Sequence, residues 1–183
     1  MTMLPRRTLL PSLALAAGLA PGAARAASRQ EIDAGVTAAL VRLRGAPGTR
    51  ALAENARAIL VFPSIIRGGF VFGGQYGNGA LVRGEAIEGH YMIAGASFGL
   101  QIGAQSYGLA LFFMGEGALD FFRRSQGWEI GTGPSVVALD AGMAGSLTST
   151  TMTQDVYAVT FGQQGLMASL SLEGTKISRI TPD

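Results

Sequence analysis

Residues 95–99 read Gly95-Ala96-Ser97-Phe98-Gly99, a G-x-S-x-G string. In a serine hydrolase that string is a nucleophile elbow, a strand-to-helix turn that presents the Ser hydroxyl to a histidine base. Here the residues after Ser97 alternate as a strand does, and the one histidine, His90, lies upstream of the Ser rather than downstream. A hydrolase using Ser97 therefore stands only as an alternative. His90 has no Cys and no second His with which to share a zinc ion, and carboxylates alone rarely complete such a site. The residue types predict a turn or strand-end histidine, with no metal and no cofactor. Glu85 and Glu88 fall in the polar stretch GEAIEGH, which reads as a solvated turn.

The glycine-rich stretches do not build phosphate loops. Gly77-x-Gly79 has Val82 where a third Gly would stand, and no G-x-x-x-x-G-K-[ST] occurs. Gly131-x-Gly133 runs into Pro134, which removes a backbone N–H from any anion cradle. Phe121, Phe122 and Trp128 could stack on bases, but core packing is the preferred reading. The remaining chemistry lies in cations. Arg42, Arg44, Arg50 and Arg57 cluster in an N-terminal helical region, with Arg67 just beyond the first strand. Each guanidinium is a planar fork that matches phosphate oxygens. Arg42 and Arg44 flank an apolar helical stripe on opposite sides, as on a helix lying in a membrane interface. An ordinary helix packing its stripe on a sheet is the competing reading. These five arginines are the candidate lipid-binding residues.

The elements that position them begin at Ser28. Ser28-x-x-Glu31 has the form of a capping box. Ile32, Val36, Ala39, Leu40 and Leu43 follow on one helical face until Gly45 and Pro47. A second helix is expected over about 49–58. From Ile59 the texture is β: Ile59-Leu60-Val61-Phe62 forms a short run closed by Pro63, and Phe70-Val71-Phe72 and Ala80-Leu81-Val82 are strands separated by turn chemistry at 73–79. Phe98, Leu100, Ile102 and Ala104 alternate with Gly and Gln, which predicts one strand with those four buried and Gln101 and Gln105 opposite. A second strand follows from Tyr107 to Met114, then a helix within 115–124, a strand at 136–139, and a hairpin of 156–162 with 166–172 around Gln163-Gln164-Gly165. Glycine is 27 of 183 residues without a G-X-Y period, which in a strand-rich chain points to a strongly curved or closed sheet.

Residues 1–26 read as a targeting segment. Arg6 and Arg7 precede the apolar stretch 9–20, and Ala24-Arg25-Ala26 is an A-x-A cleavage site, so the mature chain would begin at Ala27. The stretch is shorter than the about 20 residues a bilayer span needs, and Pro11 interrupts it. Pro5-Arg6-Arg7-Thr8-Leu9-Leu10 resembles a twin-arginine export signal. The absence of Cys excludes thiol catalysis, Cys-based zinc sites and a lipid-modified N-terminal cysteine. Removing 1–26 takes away three cations and leaves eleven against twelve carboxylates, a net −1. A domain so poor in charge is not built to coat nucleic acid.

Several strings resemble those of the SYLF domain family: Ile59-Leu60-Val61-Phe62-Pro63; Gly69-Phe70-Val71-Phe72-Gly73-Gly74-Gln75-Tyr76-Gly77; the run 97–105; Gly127-Trp128-Glu129; and Leu170-Ser171-Leu172-Glu173-Gly174. The resemblance runs in order from about Arg29 to Ile180. It implies a lipid-binding domain. Eukaryotic members are associated with phosphoinositide membranes and, in fungi, with actin filaments, and bacterial members are exported.

The combined reading is a signal peptide over 1–26 and one SYLF-like domain over 27–183. The fold class is α+β: a curved or barrel-like, mostly antiparallel sheet with an N-terminal helical pair and one short additional helix. The expected function is non-catalytic, periplasmic binding of a lipid or an anionic membrane surface. A structural or protein-interaction module of the envelope is the alternative.

Overall fold

A computed structural model describes residues 27–69, 72–98, 103–125, 127–139, 144–145, 152–164, 172 and 174–183. The export signal at 1–26 lies outside them. The first helix, α1 (Arg29–Gly45), starts on the expected capping box: the Ser28 N–H donates to Glu31 Oε2 at 2.8 Å, and the Glu31 N–H to Ser28 Oγ at 3.3 Å. Ile32, Val36, Ala39, Leu40 and Leu43 are its buried face. The second, α2 (Pro47–Asn55), stops before residue 58. Sheet pairing takes over there, because the Arg57 N–H donates to Phe113 O at 2.8 Å and Ala58 is already in the sheet.

The strands are β1 (Ala58–Gly69), β2 (Phe72–Arg83), β3 (Ala86–Phe98), β4 (Gly103–Phe113), β5 (Trp128–Glu129), β6 (Val136–Leu139), β7 (Val156–Gln164) and β8 (Thr175–Ile180), with α3 (Glu116–Arg124) after β4. They form one curled half-barrel sheet in the order β5-β8-β3-β2-β1-β4-β7-β6. The β6–β7 pair is parallel and the others are antiparallel. The sheet is covered on both faces. Ile59, Val61, Ala80, Val82, Ala110 and Phe112 pack with α1 and α2. Leu60, Phe62, Leu109, Leu111 and Phe113 pack with α3 and Trp128. A strand covered on both sides is apolar at every position, which explains the unbroken run Ile59-Leu60-Val61-Phe62.

Three strand expectations need correction. Pro63 does not close β1; the strand runs through it to Gly69. The pairing slips between Val61 and Ser64 against β2 and between Phe62 and Ile65 against β4, and a bulge accommodates a residue with no N–H to donate. Residues 73–79 are not a turn but the first half of β2. A Cβ at Gly79 would lie 2.1 Å from Val61 O, and one at Gly77 2.7 Å from Ser64 O. The glycines are there because the bulged backbone presses on them. Finally, 98–105 is not one strand. Phe98 ends β3 and Gly103 begins β4, on opposite sides of the β1–β2 pair; Leu100, Gln101 and Ile102 lie outside the described residues. Of the expected hairpin, β7 is present and 166–171 lies outside the described residues. β8 was not anticipated: it pairs with β3 from His90↔Ile180 to Gly95↔Thr175.

Candidate functional site

The five arginines separate into two groups. Arg44 ties the end of α1 to the β2–β3 turn, its Nη1 2.7 Å from Glu85 Oε1 and its Nη2 donating to Gly84 O at 2.8 Å. Arg50 donates to Arg44 O at 3.3 Å and Gly45 O at 3.2 Å. It thus satisfies carbonyls that the end of a helix leaves unpaired. Arg42 and Arg57 are exposed. These four belong to the helical pair and its link into β1. Arg67 stands apart on β1, two residues beyond Ile65, and so on the α3 face of the sheet.

The apolar stripe of α1 is spent on the sheet: Val36 and Leu43 are fully covered. Exposed apolar surface on this side comes from other residues. Val41 is 69% exposed on α1, and Ile66 and Tyr76, partners across β1 and β2, are 61% and 49% exposed. The latter two border an open hollow of about 260 Å³ floored by Ile32, Gly35 and Pro63.

On the α3 face the sheet carries a row of polar positions. In register across β8, β3, β2, β1 and β4 stand Thr175, Gly95, Gln75, Arg67 and Gln105. Gln75 is buried; its Nε2 donates to Thr175 Oγ1 at 2.7 Å, and its Oε1 accepts from the Tyr107 hydroxyl at 2.7 Å. The Gln75–Thr175 bond passes over the intervening strand at Gly95, where a Cβ would come within 3.1 Å of Gln75 Nε2. Burial pushes the Tyr107 phenol up to about 12, with the nearby Arg67 charge pulling the other way. Arg67 itself is half-buried, and its Nε is fully enclosed with no hydrogen-bond partner among the described residues. Gln105 faces this row, in line with Tyr107 and Leu109, rather than a polar face opposite the core.

Residues 94–181 match the family model described as Ysc84, Las17-binding protein actin regulator. Over these residues the chain is similar to the SYLF family that its strings resemble. No curated protein matches it. The matched stretch holds Gly95, Gln105, Tyr107 and Thr175; Gln75 and all five arginines lie before it.

The other chemical candidates are placed as structure. His90 lies inside β3, not in a turn, and its buried ring holds Asp33 of α1 at 2.7 Å from Nε2. Ser97 is in the same strand, seven residues on, or roughly 23 Å at strand rise. His90 therefore cannot serve Ser97 as a base. Glu88 is likewise in β3, bonded to Arg123 of α3. Phe122 and Trp128 are buried against each other, ring centroids 5.7 Å apart, and offer no platform for a base.

Sequence reasoning missed the Gln75–Tyr107–Thr175 network. Gln75 sat inside a glycine run taken for a turn, and Thr175 is 100 residues away from it. The only signal was a Gln among strand-compatible residues.

Proposed function

We propose that this chain is a SYLF-like, non-catalytic lipid- or membrane-surface-binding domain that works in the periplasm after removal of residues 1–26. The observation that carries the reading is exposed apolar and cationic side chains on the side of the sheet covered by α1. Val41 neighbours Arg42 near the C-terminal end of α1, where Arg44 and Arg50 also lie, with Arg57 just after α2; Ile66 and Tyr76 are exposed at the N-terminal end of α1. Apolar groups alongside cations suit the boundary of an anionic bilayer, where each Arg contributes about 1 kcal/mol. Arg42 and Arg57 are the more available cations, since Arg44 and Arg50 already bond within the protein. Arg67, on the other face, has a separate part.

Co-sedimentation tests this. The mature protein should pellet with vesicles containing phosphatidylglycerol, stay in solution with phosphatidylcholine, and be released by salt. Arg42→Glu with Arg57→Glu should abolish pelleting while leaving the folded signal intact. Absence of binding at low salt, or binding that survives the double reversal, removes the membrane reading. A protein-interaction role, to which the family's Las17-binding description lends support, then takes its place. N-terminal sequencing of the exported protein should begin at Ala27, and replacing Arg6 and Arg7 by Lys should block export by the twin-arginine route.

A further inference from the structure

We infer that Arg67, flanked by Gln75 and Gln105, is a phosphate-binding subsite on the α3 face of the sheet. The inference rests on the lipid reading for its most natural ligand and on separate residues for its geometry.

A guanidinium offers five N–H donors and is charged at every physiological pH. None of the ion pairs among the described residues involves Arg67, and its enclosed Nε has no acceptor. A charged donor held away from water without a partner is costly. An arriving oxyanion offsets part of that cost by a two-pronged contact with the outer Nη1 and Nη2 groups of the fork.

The neighbours select the kind of anion. Gln75 is held on one side of Arg67 by Tyr107 and Thr175. Nε2 of Gln75 spends one of its two hydrogens on Thr175 and keeps one to donate. Gln105 stands opposite on β4, with a partner of its own. A carboxylate has two oxygens, which the fork alone satisfies. A phosphate ester presents further oxygens out of that plane, which the second Gln75 Nε2 hydrogen can meet.

The approach is set by glycine. One row nearer the strand ends, on the same face, the register places Gly69, Gly73 and Gly103 on β1, β2 and β4. No side chain from these positions stands over the guanidinium. One row deeper, Ile65, Ile93 and Tyr107 are buried and close the floor. Among the described residues, the approach to Arg67 left open is from the glycine end, with the rest of the phosphate's molecule trailing outward.

Isothermal titration calorimetry on the mature protein tests this with dioctanoyl phosphatidate below its micelle concentration, inorganic phosphate and octanoate. Phosphatidate should bind at one site, octanoate should not compete, and Arg67→Gln should weaken phosphatidate at least about tenfold. Arg67→Lys should fall between, because it keeps the charge and loses the fork. Phosphatidate should also raise the melting midpoint of wild type and not of Arg67→Gln, which itself should melt no lower than unliganded wild type. Inorganic phosphate bound as tightly as phosphatidate would support the subsite with a free phosphate as its source. Unchanged phosphatidate affinity in Arg67→Gln, or no binding of either phosphate probe to folded wild type, overturns the subsite. If vesicle pelleting survives in that case, the membrane reading stands without it.

Discussion

The two halves of β1 differ. From Ala58 to Phe62 every side chain is buried, alternately against the α1–α2 layer and the α3 layer. Beyond Pro63, Ser64 and Ile66 are exposed and Arg67 is half-buried. The same hydrogen-bonded ladder continues through both halves, with β2 and β4 as its neighbours throughout. What changes is what lies above and below it. At one end two apolar layers sandwich the sheet; at the other the neighbours across the ladder are small or polar residues, Gly, Ala, Ser, Asn and Gln, with Tyr76 and Tyr107. The bulge at Pro63 is the divide, gripped by Gly35 of α1 on one face and close to Gly77 and Gly79 of β2. A strand can thus be buried scaffold at one end and partly exposed surface at the other, because backbone pairing is indifferent to side chains while burial is not.

The largest effect expected from breaking this division comes at the bulge. Gly79→Val would force a Cβ to within 2.1 Å of Val61 O, and neither is the end of a flexible chain. It should cost at least about 4 kcal/mol and be seen as loss of the cooperative urea transition. Gly74→Ala, whose Cβ would meet Gly95 O at an ordinary 3.7 Å, should change stability by under about 1 kcal/mol. Equal outcomes would mean that the glycine run does not serve close approach at the bulge.

Within the sandwiched half, Leu60→Ala removes a fully buried side chain and should cost roughly 2–5 kcal/mol in urea denaturation. At the boundary of the halves, Tyr107→Phe leaves Gln75 Oε1 without the phenol donor, a loss of about 1–3 kcal/mol. Tyr107 also predicts a pH dependence. Its folded value, about 12, lies above the ordinary 10.0. The unfolded chain therefore loses the phenolic proton first as pH rises. The stabilisation is complete below about pH 10 and disappears as pH climbs to about 12. Denaturation at several alkaline pH values should show this fall in wild type and a shallower one in Tyr107→Phe. The smallest effect belongs to the exposed surface: Arg42→Glu should move stability by no more than about 0.5 kcal/mol while weakening vesicle binding.

Legibility followed the range of the forces. The α1 face was readable residue by residue because capping and the helical period are local: Ser28 and Glu31 are neighbours on one turn, and the stripe repeats without outside help. The third helix was readable for the same reason, with Ala118, Leu119 and Phe122 on one side. The glycines of β2 were not, because Gly is permissive in isolation and reads as a turn. Only contact with the β1 bulge shows why a side chain is excluded. β8 escaped notice since its short run mixes Lys176, Ser178 and Arg179 with two isoleucines, and its inward face means something only beside β3. Of the candidate cations, all five were visible as arginines, but nothing in their spacing separated Arg67 from the rest.

The sequence by itself determined the α+β class, the helical pair ahead of the sheet, the buried face of α1 and the resemblance to the SYLF family, all of which rest on periodicity, capping and residue strings a few positions long. The tertiary structure alone decided that α1 spends its stripe on the sheet, that His90 binds Asp33, that Gln75 reaches Thr175 across Gly95, and that Arg67 faces away from the other arginines. Those outcomes depend on which strands become neighbours and in what register, and a shift of one residue turns every side chain to the opposite face.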